Sequence, residues 1–249
     1  MPTELTPEIV LNHLKRGRLG LVYLFYGPDD YLLEKVLKQI RETFIPETAR
    51  DFNLHIFDGD SSINPGDILD SARSMPFLSS NRLVIVRRTD CISAANLEAF
   101  LPYLEKPVDS TCLIFVALKP DFRLKFFKFS KRLGLTVNFK ELNDRQVPPW
   151  INAAARELGL NIRMEACRHL QEIVGNSSRA LHMELEKLYL RHGSKEIGVE
   201  EIKELSIFSR MYTIFELMDE ISQRRRAQSL SILNRYLEEE GRDAAFGIV

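Results

Sequence analysis

Apolar residues over the first 140 positions alternate between two spacings. Ile9, Val10 and Leu14, with His13, recur at helical intervals after Thr6-Pro7-Glu8, where a hydroxyl N-cap precedes a proline that forfeits no amide hydrogen bond. That helix is expected to stop near Gly17. Leu21-Val22-Tyr23-Leu24-Phe25-Tyr26 is apolar throughout, as a strand covered on both faces would be. Gly27-Pro28-Asp29-Asp30 turns the chain and caps a helix carrying Leu32, Leu33, Val36, Leu37 and Ile40. The alternation continues with strands predicted at 52–57, 82–86, 111–116 and 135–139, and helices at 64–74, 93–104 and 121–132. Five strands interleaved with helices predict an α/β domain over 1–140, a largely parallel sheet with helices on both faces.

Beyond residue 140 the strand pattern disappears. Pro148-Pro149-Trp150 opens a helix ending at Gly159, a second runs from about Arg163 to Val174, and Gly175 ends it. Ser177 or Ser178 caps a third, with Leu181, Leu185, Leu188 and Tyr189 on one face, and 199–205 is short and helical. Two further helices are expected at 213–223 and 225–240. Residues 141–211 thus read as a small helical domain. Residues 212–249 read as the start of another helical domain cut short, because a helix pair cannot bury its own core; docking onto the preceding bundle is the alternative.

Composition narrows the class. A chain of 249 residues can bury a core without disulfides or metal, and 45 % hydrophobic residues exclude global disorder. Lys and Arg (34) nearly balance Asp and Glu (35), which excludes a wholesale basic DNA-coating protein. No run approaches the ~18 apolar residues of a spanning helix. Met1-Pro2-Thr3-Glu4-Leu5 has no secretory character, and three scattered cysteines fit reduced thiols, so a cytoplasmic location without a membrane is expected.

Most catalytic chemistry is argued against by the residues. A phosphate loop at the first strand-turn needs glycines, a Lys and a hydroxyl. Here Gly27-Pro28-Asp29-Asp30-Tyr31 offers two carboxylates and a proline, which would repel a phosphate, and Gly17-Arg18-Leu19-Gly20 supplies no Rossmann fingerprint. Cys91, Cys112 and Cys167 lack metal-ligand spacing, His182 and His192 lie ten apart, and Asp58-Gly59-Asp60 lacks the rest of a calcium loop. No catalytic residue, cofactor or metal is expected. Two segments stand apart. Arg73-Ser74-Met75-Pro76-Phe77-Leu78-Ser79-Ser80 places three large apolar residues in a loop, which on the residues alone favours tucking back over an exposed binding wedge. Helix 121–132 interleaves Arg123, Lys125 and Lys128, with Lys131 and Arg132, among Phe122, Phe126, Phe127 and Phe129. Such a face could follow a phosphate backbone, or the rings could pack on the sheet while the cations solubilise the outside.

Taken in order, several short motifs resemble the delta subunits of bacterial DNA polymerase III. They are Leu24-Phe25-Tyr26-Gly27 with Tyr31-Leu32, Met75-Pro76-Phe77 with Arg82-Leu83-Val84-Ile85-Val86, Leu104-Glu105-Lys106-Pro107 and Lys119-Pro120-Asp121-Phe122-Arg123 with Phe127-Lys128. Trp150-Ile151, Glu157-Leu158-Gly159-Leu160, Gly175-Asn176 with Glu184-Leu185-Glu186-Lys187-Leu188, and Ile214-Phe215-Glu216-Leu217 continue the series. The resemblance implies an AAA+-like (RecA-like) α/β domain without a working phosphate loop, a helical lid and a helical collar, here truncated. It implies no catalysis by this chain itself, although it would be a subunit of a nucleotidyltransferase holoenzyme, a DNA-directed DNA polymerase. It implies as partners the sliding clamp (beta), the gamma/tau and delta prime loader subunits, and primed DNA. The family's clamp-opening wedge falls on Phe77 and Leu78, supported by Met75; Arg123, Lys125 and Lys128 are candidate DNA-facing residues. Two departures stand out: Ser177 and Ser178 replace an acidic-apolar pair, and Arg73 sits where a clamp-binding motif favours Gln. The alternatives are an active AAA+ or P-loop NTPase with an unusual loop, and a DNA-binding scaffold using helix 121–132.

Overall fold

A computed structural model describes residues 5–204 and scattered helical positions between 217 and 233. The expected collar fragment at 212–249, with its helices at 213–223 and 225–240, lies largely outside the described residues. The chain divides into two compact units, Met1–Glu141 and Leu142–Val249.

In the first unit the order is α1 (Pro7–Lys15), β1 (Val22–Tyr26), α2 (Asp30–Phe44), α3 (Arg50–Asn53), β2 (Leu54–Asp58), α4 (Pro65–Arg73) and β3 (Arg82–Arg87). It continues with α5 (Ala94–Glu98), α6 (Leu101–Glu105), β4 (Thr111–Ala117), α7 (Lys125–Arg132) and β5 (Thr136–Asn138). The five strands form one parallel sheet in the order β2-β3-β4-β1-β5. Because side chains alternate along a strand, each strand feeds two cores. Val22 and Leu24, Val84 and Val86, Leu113 and Phe115 face one side, packed with Ile68, Phe100, Phe126 and Phe127 from the helices. Tyr23, Phe25, Leu83, Ile85, Cys112 and Ile114 face the other, covered by Val10, Leu14, Val36, Leu37 and Ile40 from α1 and α2.

Local deviations from the sequence expectation have local causes. The helix expected over 93–104 is two short ones, α6 opening with Pro102 in its first turn, where the missing N–H breaks the run. The strand expected over 52–57 begins only at Leu54, since Arg50–Asn53 form the helical turn α3. The basic helix starts at Lys125, because Asp121 accepts the Arg123 N–H and holds 121–124 as a turn.

The second unit packs α8 (Val147–Glu157), α9 (Met164–Val174) and α10 (Ser178–His192) around Ile151, Cys167, Leu170, Leu181, Leu185 and Leu188. Ser177 caps α10 by accepting the Ala180 N–H, so the departure noted there supplies a helix start. The unit is not purely helical: β6 (Asn161–Ile162) pairs in parallel with β7 (Glu196–Ile197), a ladder too short for the sequence pattern to reveal. Among the described residues no helix is long and apolar enough to cross a membrane.

Candidate functional site

The loop joining α4 to β3 leaves the sheet at the amino ends of its strands. Its apolar residues do not tuck back: Met75 is 85 %, Phe77 55 % and Leu78 75 % exposed. The expectation of burial drawn from residue type is therefore corrected, and the physical reason lies beneath the loop. Its base is held by polar groups that pull main chain inward and leave the side chains outward. The Asn53 side chain, fully buried, accepts the Phe77 N–H through Oδ1 at 2.8 Å and donates from Nδ2 to the Phe77 carbonyl at 2.6 Å and the Ala49 carbonyl at 2.9 Å. Arg82 donates from Nη2 to the Met75 carbonyl at 3.2 Å, and its Nε is buried with no hydrogen-bond partner. Burial draws the Arg82 pKa below the ordinary arginine value. On the α4 side the Asp70 carbonyl accepts both the N–H and the hydroxyl of Ser74.

These anchors are distant in sequence and adjacent in space for a simple reason. β2 pairs with β3 in the register Leu54↔Leu83, so Asn53 and Arg82 stand side by side at the strand entrances. The edge of the Phe77 ring meets Phe52, 52 % exposed, with centroids 5.2 Å apart and planes at 68°. Leu78 has φ +54°, a left-handed conformation that costs a non-glycine residue on the order of 1–2 kcal/mol. The result is a strained, anchored loop displaying apolar side chains. Phe52, Asn53 and Arg82 were not singled out in the sequence; the signal was an asparagine and two charged residues, poor strand formers, at the head of a supposed strand.

At the opposite, carboxyl end of the sheet, where an open α/β fold ordinarily binds its ligand, the β1–α2 turn uses its own amides. Asp29 N–H donates to the Phe139 carbonyl, Asp30 N–H to the Pro28 carbonyl, Leu33 N–H to the Asp29 carbonyl, and Leu32 N–H to Asp29 Oδ1 at 2.9 Å. Gly27, φ +128°, is required because a Cβ there would lie 2.3 Å from the Phe139 carbonyl oxygen, so it serves the crossing of β1 and β5. A cleft of about 440 Å³ remains, lined by Asp30, Glu34, Asp58, Arg87, Arg88 and Asp90, among others. Its cations are engaged: Arg87 grips Glu34 in a two-pronged pair at 2.7 and 2.9 Å, and Arg88 holds Asp58 at 2.6 Å. A triphosphate does not fit a turn whose amides and neighbouring cations are already committed.

On α7, Phe126 and Phe127 are buried in the core. Arg123 is bound by Asp121, whose carboxyl it holds down at about 2, and Lys125 donates to Glu98 at 3.1 Å. Lys131 lies over Phe122 and Arg132 over Phe129, at 4.9 and 4.6 Å from the ring centroids, while Lys128 is exposed. The structure therefore separates the candidates: Met75, Phe77 and Leu78 gather at one edge, whereas Arg123, Lys125 and Lys128 lie along another helix with local partners. Among the described residues no cluster of His, Cys, Asp and Glu is suited to hold a metal.

A parallel five-stranded α/β unit without an anion cradle, carrying an exposed apolar loop, defines an AAA+-like protein rather than a working nucleotide motor. The fold matches that of the RuvB branch-migration protein of Thermotoga maritima, at TM-score 0.54 and 13 % identity over 87 % of this chain and 74 % of that one. Residues 23–140 match the family model of the DNA polymerase III delta subunit. The Bacillus subtilis DNA polymerase III subunit delta is 31 % identical over 243 residues, 92 % of this chain and 69 % of the relative. The solved Bacillus subtilis clamp loader delta protein superposes with TM-score 0.63 at 28 % identity, covering 94 % of this chain and 72 % of the other. The chain belongs to the DNA polymerase III delta subunit family.

Proposed function

We propose that this chain opens a sliding clamp by binding it, without catalysing a reaction of its own. Phe77 and Leu78, with Met75, enter an apolar pocket on the clamp, and the energy available comes from covering side chains that the free protein leaves in water. Opening follows when the loop binds a distorted clamp more tightly than the closed ring, since only differential affinity shifts an equilibrium. Nucleotide hydrolysis then belongs to the other loader subunits, which would expose or hide this surface, and primed DNA enters only in the assembled loader. The observation carrying the reading is the exposure of three large apolar side chains on a loop whose main chain is anchored from below. Contact of α7 with DNA through Arg123, Lys125 and Lys128 is less well supported, because Asp121 and Glu98 already hold two of the three.

The test is surface-immobilised bacterial sliding clamp with the chain in solution. The Phe77→Ala/Leu78→Ala double variant is expected to lose binding by about 30- to 700-fold, the equivalent of ~2–4 kcal/mol for the apolar surface still open on the two side chains. Binding equal to wild type overturns the assignment. A fluorescent-nucleotide titration separates the rival NTPase reading, since no saturable binding is expected of the β1–α2 turn.

A further inference from the structure

The short turn α3 carries two residues that the loop needs and that no motif marks. We propose that Asn53 is a positioning residue of the clamp-binding loop and that Phe52, beside it in the same turn, extends the loop's apolar contact face. The inference rests on the clamp-binding reading above and deepens it.

Asn53 is a fully buried polar side chain at the foot of an exposed loop. Both main-chain groups of Phe77 are bonded to it, the N–H to Oδ1 and the carbonyl to Nδ2. A group that accepts from and donates to one residue fixes the orientation of both its peptide planes, as a neighbouring strand would. The second Nδ2 hydrogen anchors the amide to Ala49 within α3, so the support is itself held. Only an amide satisfies this set: aspartate has no N–H to give to the two carbonyls, and leucine offers nothing to any of the three groups. Phe52 works on the side chain instead. Its edge-on contact restricts where the Phe77 ring can turn, and its own half-exposed ring stands beside Phe77 as additional surface for the same pocket. A loop ordered before encounter loses less freedom on binding, which is why a residue that never touches the clamp is expected to change affinity for it.

The experiment measures clamp binding by the 249-residue chain carrying Asn53→Ala, Phe52→Ala, Phe77→Ala and the pairs of each of the first two with Phe77→Ala, alongside amide hydrogen exchange of the free proteins. Asn53→Ala is expected to weaken binding by about tenfold, and Phe52→Ala by about 3- to 10-fold. In the Phe77→Ala background either change is expected to add no more than about twofold, because both act with the side chain already removed. The Phe77 amide is expected to exchange faster in Asn53→Ala while the amides of β3 and β4 keep their protection, a pattern that general destabilisation does not produce. Wild-type affinity in both single variants, or full additivity with Phe77→Ala, overturns the inference while leaving the wedge intact. Failure of the unsubstituted chain to bind the clamp overturns the functional reading and this inference with it. Should Asn53→Ala not fold, Phe52→Ala decides alone, since its half-exposed ring tolerates removal.

Discussion

Leu78 offers a substitution in which stability and binding are expected to move in opposite directions. Its φ of +54° lies in the left-handed region, where an ordinary L-residue is strained by on the order of 1–2 kcal/mol. Asparagine enters that region more readily, so Leu78→Asn is expected to recover ~1 kcal/mol. Against this stands the small part of the leucine that is covered. With the side chain 75 % exposed, only about a quarter of the ~1.5–3 kcal/mol of full burial is lost, or ~0.4–0.8 kcal/mol. The free protein should therefore be unchanged or more stable, by ~0–1 kcal/mol in urea unfolding. The uncovered surface is what a clamp pocket would bury. Replacing it by a polar amide removes ~1–2 kcal/mol of binding, a rise in Kd of about 5- to 30-fold on a clamp-coated biosensor. A loop strained for function shows exactly opposed signs in no other simple way. Destabilisation by more than ~1 kcal/mol would place Leu78 among structural residues, and an unaltered Kd would remove it from the contact; either result refutes the reasoning.

Two further expectations concern the sheet. Gly27→Ala drives a Cβ to 2.3 Å from the Phe139 carbonyl oxygen in a backbone conformation of φ +128°, so a loss of ~2–4 kcal/mol is expected, read as a lowered melting temperature; an unchanged melt refutes the close approach of β1 and β5. Tyr23, buried in the α1–α2 core with its hydroxyl accepting the Gly20 N–H, has its pKa pushed up to about 12 by burial. The unfolded phenol ionises near pH 10, so between about pH 10 and pH 12 the unfolded chain binds fewer protons than the folded one. Stability is then whole below pH ~10 and falls by up to ~2–3 kcal/mol as pH climbs through 12. Tyr23→Phe should flatten that part of the alkaline unfolding profile, and an identical slope in the variant would count against it.

The sheet was legible because parallel strands buried on both faces write continuous apolar runs, such as Val22–Tyr26 and Thr111–Ala117, between helices with clear caps at Thr6, Asp29 and Asn64. The absence of phosphate-loop residues was equally readable, since Asp29 and Asp30 have the wrong charge. What could not be read is the state of the α4–β3 loop. Met75, Phe77 and Leu78 are residues that composition assigns to a core, and only the hydrogen bonds from Asn53 and Arg82 decide that their side chains face water. Those bonds join positions 24 and 7 residues apart and depend on the pairing of β2 with β3, which no local pattern encodes. The β6–β7 ladder was hidden for a related reason: two residues per strand are too few to establish a period.

The two ends of the sheet explain how such a fold can lose nucleotide chemistry and keep a mechanical role. The cleft at the carboxyl ends of the strands is built from the β1–α2 turn and the ion pairs Arg87–Glu34 and Arg88–Asp58. The apolar loop is built at the amino ends of β2 and β3 and shares none of those residues. β2 is an edge strand, so a loop anchored beside it extends from the periphery of the sheet without covering either core. Filling the cleft with paired charges therefore costs the loop nothing, and the rigid sheet between them remains as its support. Because the loop's main chain is bonded to the entrances of β2 and β3, force on Phe77 and Leu78 is carried into two paired strands instead of being absorbed by a flexible connection. A surface meant to distort a ring needs that stiffness, and a loop meant only to adhere does not.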